Sequence, residues 1–218
     1  MSTQLDHLVI GAATLERGVA YVKHTLGVDI PYGGEHKTLG THNQLMQLGP
    51  ELFLEVIAIN PAGEAINRPR WYGLDDPYIA EQLRIEPRLI AWVVNTDNLG
   101  QSLQSANQSF GRSTPISRGN LNWLFGLPED GRLLAGGMLP YIMQWQTDEH
   151  PASKMANCGC ALEQLAIYHP QADWLRTALV SINADHIVSV HAIAVDKSPY
   201  LTATLKTPLG SVTISSLN

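Results

Sequence analysis

Residues 5–10, Leu5-Asp6-His7-Leu8-Val9-Ile10, decide how the chain is read. This short, largely apolar run reads as a buried strand. Thr14 then caps a helix whose apolar residues Val19, Val22 and Leu26 recur at helical spacing, and Gly27 supplies its stop. Three short strands follow, at 30–36, 42–48 and 52–58, punctuated by Gly40 and by Gly49-Pro50. The order of elements is β-α-β-β-β.

Working outward, the same order recurs. Residues 88–94 read as a strand, Asp97 caps a helix carrying Leu99, Leu103 and Ala106, and strands follow near 113–118, 121–127 and 139–146. The two units cover about 4–59 and 87–147, with an insertion at 60–86 that holds a short helix, Pro77 to Leu83. A third, looser pattern begins at Ala161, with a helix at 173–182 and strands at 188–195, 200–206 and 211–215. The fold class expected is therefore α+β: paired βαβββ units forming a curved half-open barrel over 1–150, with a third βαβββ-like unit at 160–218 packed on it. Two such units side by side enclose a concave face, a natural place for a small-molecule ligand.

Composition narrows the partners. Fourteen Lys and Arg against twenty Asp and Glu give a net charge of −6, which argues against nucleic acid or an anionic membrane. No stretch approaches the roughly 20 apolar residues of a membrane span. The first residues run straight into a strand pattern with no signal peptide, so the expected location is the cytoplasm. Cys158 and Cys160 are the only cysteines, and their spacing suits two free thiols better than a disulfide or a zinc knuckle.

Four stretches carry a resemblance: Leu5-Asp6-His7-Leu8-Val9, Gly33-Gly34-Glu35-His36, Gly40-Thr41-His42-Asn43 and Leu52-Phe53-Leu54-Glu55-Val56. Together with Pro140-Tyr141-Ile142-Met143-Gln144-Trp145 and His150-Pro151, they resemble the glyoxalase-like branch of the vicinal-oxygen-chelate superfamily. The resemblance implies a βαβββ repeat, a small-molecule cavity and, in metal-dependent members, a divalent ion. In those members a His on the first strand and a Glu on the last strand of each unit hold the metal. Here His7 and Glu55 match that pattern, whereas the second unit has Ala91 and Gln144 at the aligned positions. The superfamily includes lyases, isomerases and oxygenases as well as metal-free drug-binding proteins, so the activity has to come from the site.

His7 and Glu55 are the expected catalytic pair. With His42 they would form a two-His, one-carboxylate set for one divalent metal. Without metal, Glu55 would orient His7 as a general base. His36, His42, Asn43, Gln144 and His150 are the expected ligand-binding residues, with Gln144 facing the cavity opposite Glu55. The two functions in view are a glyoxalase-like enzyme and a metal-free small-ligand-binding or drug-sequestering protein. The apolar faces of the third unit call for cover, either from the chain's own body or across a homodimer interface.

Overall fold

The capped helix and its neighbouring strands form where the pattern places them; the computed structural model describes residues 2–217. The first unit comprises β1 (Thr3–Gly11), α1 (Leu15–Leu26), β2 (Tyr32–His36), β3 (Thr41–Gly49) and β4 (Leu52–Ile59). The Thr14 side chain accepts from the Arg17 N–H, and Gly27 closes α1 in the left-handed conformation, φ 75°. Leu15, Val22 and Leu26 of α1 are buried, and burial of each such side chain contributes roughly 1.5–3 kcal/mol. The insertion carries a 3-10 turn at Trp71–Gly73 and then α2 (Pro77–Ile85), capped by Asp76.

The second unit repeats the first as β5 (Arg88–Thr96), α3 (Leu99–Ser105), β6 (Arg112–Arg118), β7 (Leu121–Leu127) and β8 (Tyr141–Trp145). The cap of α3 is Asn98, which accepts from the Gln101 N–H, rather than the expected Asp97. The eight strands form one sheet in the order β2-β3-β4-β1-β5-β8-β7-β6. Each half has its first strand parallel to its last, β1 with β4 and β5 with β8, and the halves join through the antiparallel pair β1–β5. The order reads the same from either edge, as an approximate two-fold axis between β1 and β5 requires. The edge strands β2 and β6 come into contact, so the sheet curls into the expected half-barrel. Helix α1 packs on β3 and β4, and α3 on β6, β7 and β8, leaving the concave face to side chains.

The remaining elements are β9 (Ala161–His169), α4 (Ala172–Ser181), β10 (Ser189–Ala192), β11 (Tyr200–Thr207) and β12 (Gly210–Ser215). Their order is again β-α-β-β-β, but their sheet runs β10-β9-β11-β12. Here the first strand pairs directly with the second, in parallel, and not with the last. The element pattern recurs while the pairing does not. The sheet lies against β5 and β3, and the Thr3 hydroxyl donates to the Ile182 carbonyl at 3.0 Å. Leu165, Ile167, Leu175 and Leu201 belong to the same hydrophobic core as Val9, Trp92 and Ile142. No helix among the described residues is long and apolar enough to cross a membrane. Both cysteines are free, and burial pushes both thiols up, Asp29 adding to the effect at Cys158 and Cys158 at Cys160.

Candidate functional site

Strand β1 is apolar enough to be buried on both faces, yet it carries Asp6 and His7 side by side. A regular strand would send these two side chains to opposite faces. The pairing of β1 with β5 instead slips by one residue between Leu5 and His7, leaving Asp6 as the extra residue of a bulge. The bulge lets Asp6 Oδ1 reach His7 Nδ1 at 2.5 Å. Three further donors converge on Asp6 Oδ2: Trp145 Nε1 at 2.7 Å, His150 Nε2 at 2.9 Å and Asn95 Nδ2 at 3.0 Å. Four donors and no acceptor demand an ionised carboxylate. Burial by itself would raise the Asp6 pKa, but the hydrogen bonds from His150 and His7 outweigh it and hold the group well below the usual carboxylate range.

The tautomers follow from these contacts. His150 Nδ1 accepts from the Ala152 N–H at 3.2 Å, so its Nε2 carries the proton donated to Asp6. His7 donates through Nδ1, which leaves Nε2 as the atom presented to the cavity. That nitrogen lies 3.4 Å from the Tyr72 hydroxyl and 3.7 Å from Glu55 Oε2. The imidazole is stacked on Phe53 with centroids 4.4 Å apart. The group that orients His7 is therefore Asp6, to which the sequence assigned no role, and Glu55 stands on the cavity side of the ring.

Glu55 Oε1 accepts from Asn43 Nδ2 at 2.6 Å, and Asn43 Oδ1 accepts from Arg118 Nη1 at 3.0 Å. A Cβ on Gly33 would lie 2.4 Å from Asn43 Oδ1, so the missing side chain makes room for this relay. His36 also lines the cavity, its Nδ1 3.1 Å from the Thr41 hydroxyl. Burial, with Arg118 and His7 nearby, pushes its pKa down to about 3, so the ring is neutral. Tyr72 is fully buried, and burial followed by the charge of Glu55 holds its phenol well above the usual range, so it keeps its proton. Its backbone is left-handed, φ 57°, a conformation that costs a bulky residue on the order of 1 kcal/mol or more and is kept where a side chain must be aimed.

Three expected residues lie elsewhere. Strand β3 alternates, and because Asn43 points into the cavity, His42 points to the other face of the sheet; it supplies no metal ligand. Gln144 likewise faces away, its side-chain oxygen accepting from the Leu99 N–H at the start of α3 at 3.0 Å. Met143 and Trp145 take the inward positions. His150 does not line the cavity; it stands behind His7, holding Asp6. Trp71 and Tyr72 come from the insertion, and the only signal for them was a Trp-Tyr-Gly run in an otherwise polar stretch.

The cavity has a volume of about 30 Å³, room for roughly two waters or a molecule of a few heavy atoms. Its donor set does not fit the divalent ion implied by the resemblance. Among the described residues no three His, Cys, Asp or Glu side chains are arranged to hold a metal ion, and Asp6 is already taken up by His7 and His150. Only His7 Nε2 and Glu55 Oε2 face each other, and the second unit contributes a thioether and aromatic rings, which are poor partners for a hard cation.

The model of the glyoxalase-like domain family matches residues 5–182. A hypothetical protein from Staphylococcus aureus is similar in structure, with a TM-score of 0.59 at 14% identity, over 99% of this chain and 85% of that one. Methylmalonyl-CoA epimerase from Mycobacterium tuberculosis matches at a TM-score of 0.40 and 20% identity, over 65% of this chain and 86% of that one. A mutant of 4-hydroxymandelate synthase from Streptomyces coelicolor matches at 0.47 and 13%, over 98% of this chain and 62% of that one. A search of curated proteins finds no match to the sequence.

Proposed function

The chain belongs to the glyoxalase-like domain family of the vicinal-oxygen-chelate superfamily, and we propose that it catalyses proton transfer at carbon on a small carbonyl compound, with His7 as the base. The observation that carries this reading is the 2.5 Å contact between Asp6 Oδ1 and His7 Nδ1, which leaves Nε2 as a proton acceptor facing the cavity. In the reaction, His7 Nε2 takes a proton from the carbon next to the carbonyl and the C–H electron pair moves to the carbonyl oxygen. The protonated Tyr72 hydroxyl donates a hydrogen bond to the developing oxyanion. The electron pair then moves back from the oxygen and His7 returns its proton to the same carbon, which exchanges that hydrogen. Where the planar enolate has turned its other face to His7, the return inverts the carbon and makes the reaction an epimerisation. Glu55, beside Nε2, stabilises the imidazolium formed midway. The aromatic walls exclude water and strengthen each of these interactions.

The test is exchange of carbon-bound hydrogen for solvent deuterium, followed by proton NMR on a panel of small charged and neutral carbonyl compounds. Wild type should exchange at least one of them, and His7→Gln should slow that exchange by about 10²–10⁴-fold. A panel left untouched by wild type would leave the second reading, a metal-free ligand-binding protein. The aromatic lining, with Trp71, Trp123 and Trp145 around the cavity, favours that alternative.

A further inference from the structure

We infer that the ligand of this cavity carries a carboxylate and that Arg118 receives it. Arg118 ends β6 on one edge of the curled sheet and reaches across the seam towards the other edge. A Cβ on Gly34 of β2 would sit 3.0 Å from Arg118 Cδ, so a glycine there lets the side chain lie across the gap. The guanidinium has five N–H donors, and among the described residues the structure gives it one acceptor, Asn43 Oδ1 at 3.0 Å. Among the described residues no carboxylate forms an ion pair with it. Burial lowers the Arg118 pKa, and the nearby charge of Glu55 counteracts this. A half-buried, forked cation with free donors is built to hold a planar anion in two parallel hydrogen bonds.

The position of Arg118 sets which way round the ligand lies. Arg118 and Leu45 line both the inner cavity and an outer groove of about 330 Å³ that also holds Tyr32 and Lys154. Arg118 therefore stands at the mouth. Asp6 and Glu55 lie at or behind the inner wall, and two carboxylates there repel an anion. An anionic ligand must enter with its neutral end first, towards His7, and leave its carboxylate on Arg118. With a small cavity inside Arg118 and an open groove outside it, the class is a short-chain oxo or hydroxy acid whose carboxylate stays at the mouth. This orientation rests on the proton-transfer reading of His7, whereas the carboxylate seat does not.

Binding is therefore measured apart from turnover. Pyruvate, lactate and acetoacetate are titrated by calorimetry against their neutral amides, with wild type, Arg118→Met, Arg118→Lys and His7→Gln. At least one acid should bind wild type about 10-fold or more tighter than its amide, the range of charge-assisted hydrogen bonds. Arg118→Met should erase that preference, Arg118→Lys should keep part of it, and His7→Gln should keep all of it while losing exchange. Should Arg118→Met fail to fold, the contrast between acid and amide on wild type and Arg118→Lys decides the matter. Equal binding of acids and amides, no binding of any acid, or a preference unchanged in Arg118→Met overturns the inference. Arg118-dependent binding without deuterium exchange would uphold the carboxylate seat and refute the proton-transfer reading. Exchange of neutral carbonyl compounds with no preference for acids would do the reverse.

Discussion

The two halves of the large sheet share a strand order and differ in the polar side chains they turn inward. The first half points His7, Asn43 and Glu55 at the cavity, with Asp6 behind them. The second half points Trp123, Phe125, Met143 and Trp145 inward, and its one permanent charge there is Arg118 at the rim. Duplicated topology needs only the repeat of buried positions. The chemistry depends on a few inward residues, which can diverge without disturbing the sheet. The first half supplies most of the polar lining, beside Leu45 and Phe53, and the second half an aromatic wall, a division that fits the role proposed for His7.

The hardest way to break this asymmetry is to make the second half polar. Met143 is 1% exposed and faces the cavity, so Met143→Glu should bury an unpaired carboxylate and cost roughly 3–5 kcal/mol in urea unfolding. The same variant supplies a third oxygen or nitrogen donor beside His7 and Glu55. Saturable Mn²⁺ binding in calorimetry should then appear where wild type shows none. Saturable binding by wild type would mean that the donor set has been misjudged.

A smaller effect comes from loosening the first half. Asp6→Asn removes the charge on which four donors converge and turns one acceptor into a donor facing other N–H groups. A loss of roughly 1–3 kcal/mol is expected, with a fall in any exchange activity larger than that of a mere packing variant. If Asp6→Asn keeps full stability, the carboxylate is not the anchor of His7.

The last effect is spread over pH, a titration that the first half contributes. His36 is held neutral with its pKa lowered from 6.5 to about 3, so between those values the unfolded chain binds a proton that the folded chain does not. Stability from this residue is fully present above pH 6.5 and is lost as pH falls towards 3, by at most about 1.4 kcal/mol per pH unit. Urea unfolding from pH 7 to 4 should show this slope, and His36→Gln should flatten it. A slope unchanged in that variant would assign the titration to another group.

Where several residues of the candidate site lie could be read before the fold was known, and the differences have physical causes. His7 and Glu55 were legible because first and last strands of one unit lie side by side, and Asn43 came with them. Asp6 was passed over because strict alternation turns it away from His7, and a bulge is invisible to a period-2 pattern. Gln144 was placed inward by an alignment one residue out of register, and in a strand that error exchanges the two faces. His42 failed for the same reason, since of two adjacent polar residues only one can face in. Trp71 and Tyr72 lie in a segment without periodicity, where nothing local indicates that the chain folds back into the barrel.

The amino-acid order by itself determined the elements, their repetition and the apolar faces, because turn residues, helix caps and hydrophobic period act over a few neighbouring positions. It also determined the net negative charge and the presence of a His and a Glu on strands that belong together. The third unit shows where local information ends: its elements follow the same order, yet β9 pairs with β10 instead of β12. Only the tertiary structure decided which carboxylate holds His7, which polar side chains face inward, and that Arg118 closes the seam. Each of these depends on strand register, on a one-residue bulge or on segments far apart in the chain, and such contacts are selected by packing the whole sheet at once.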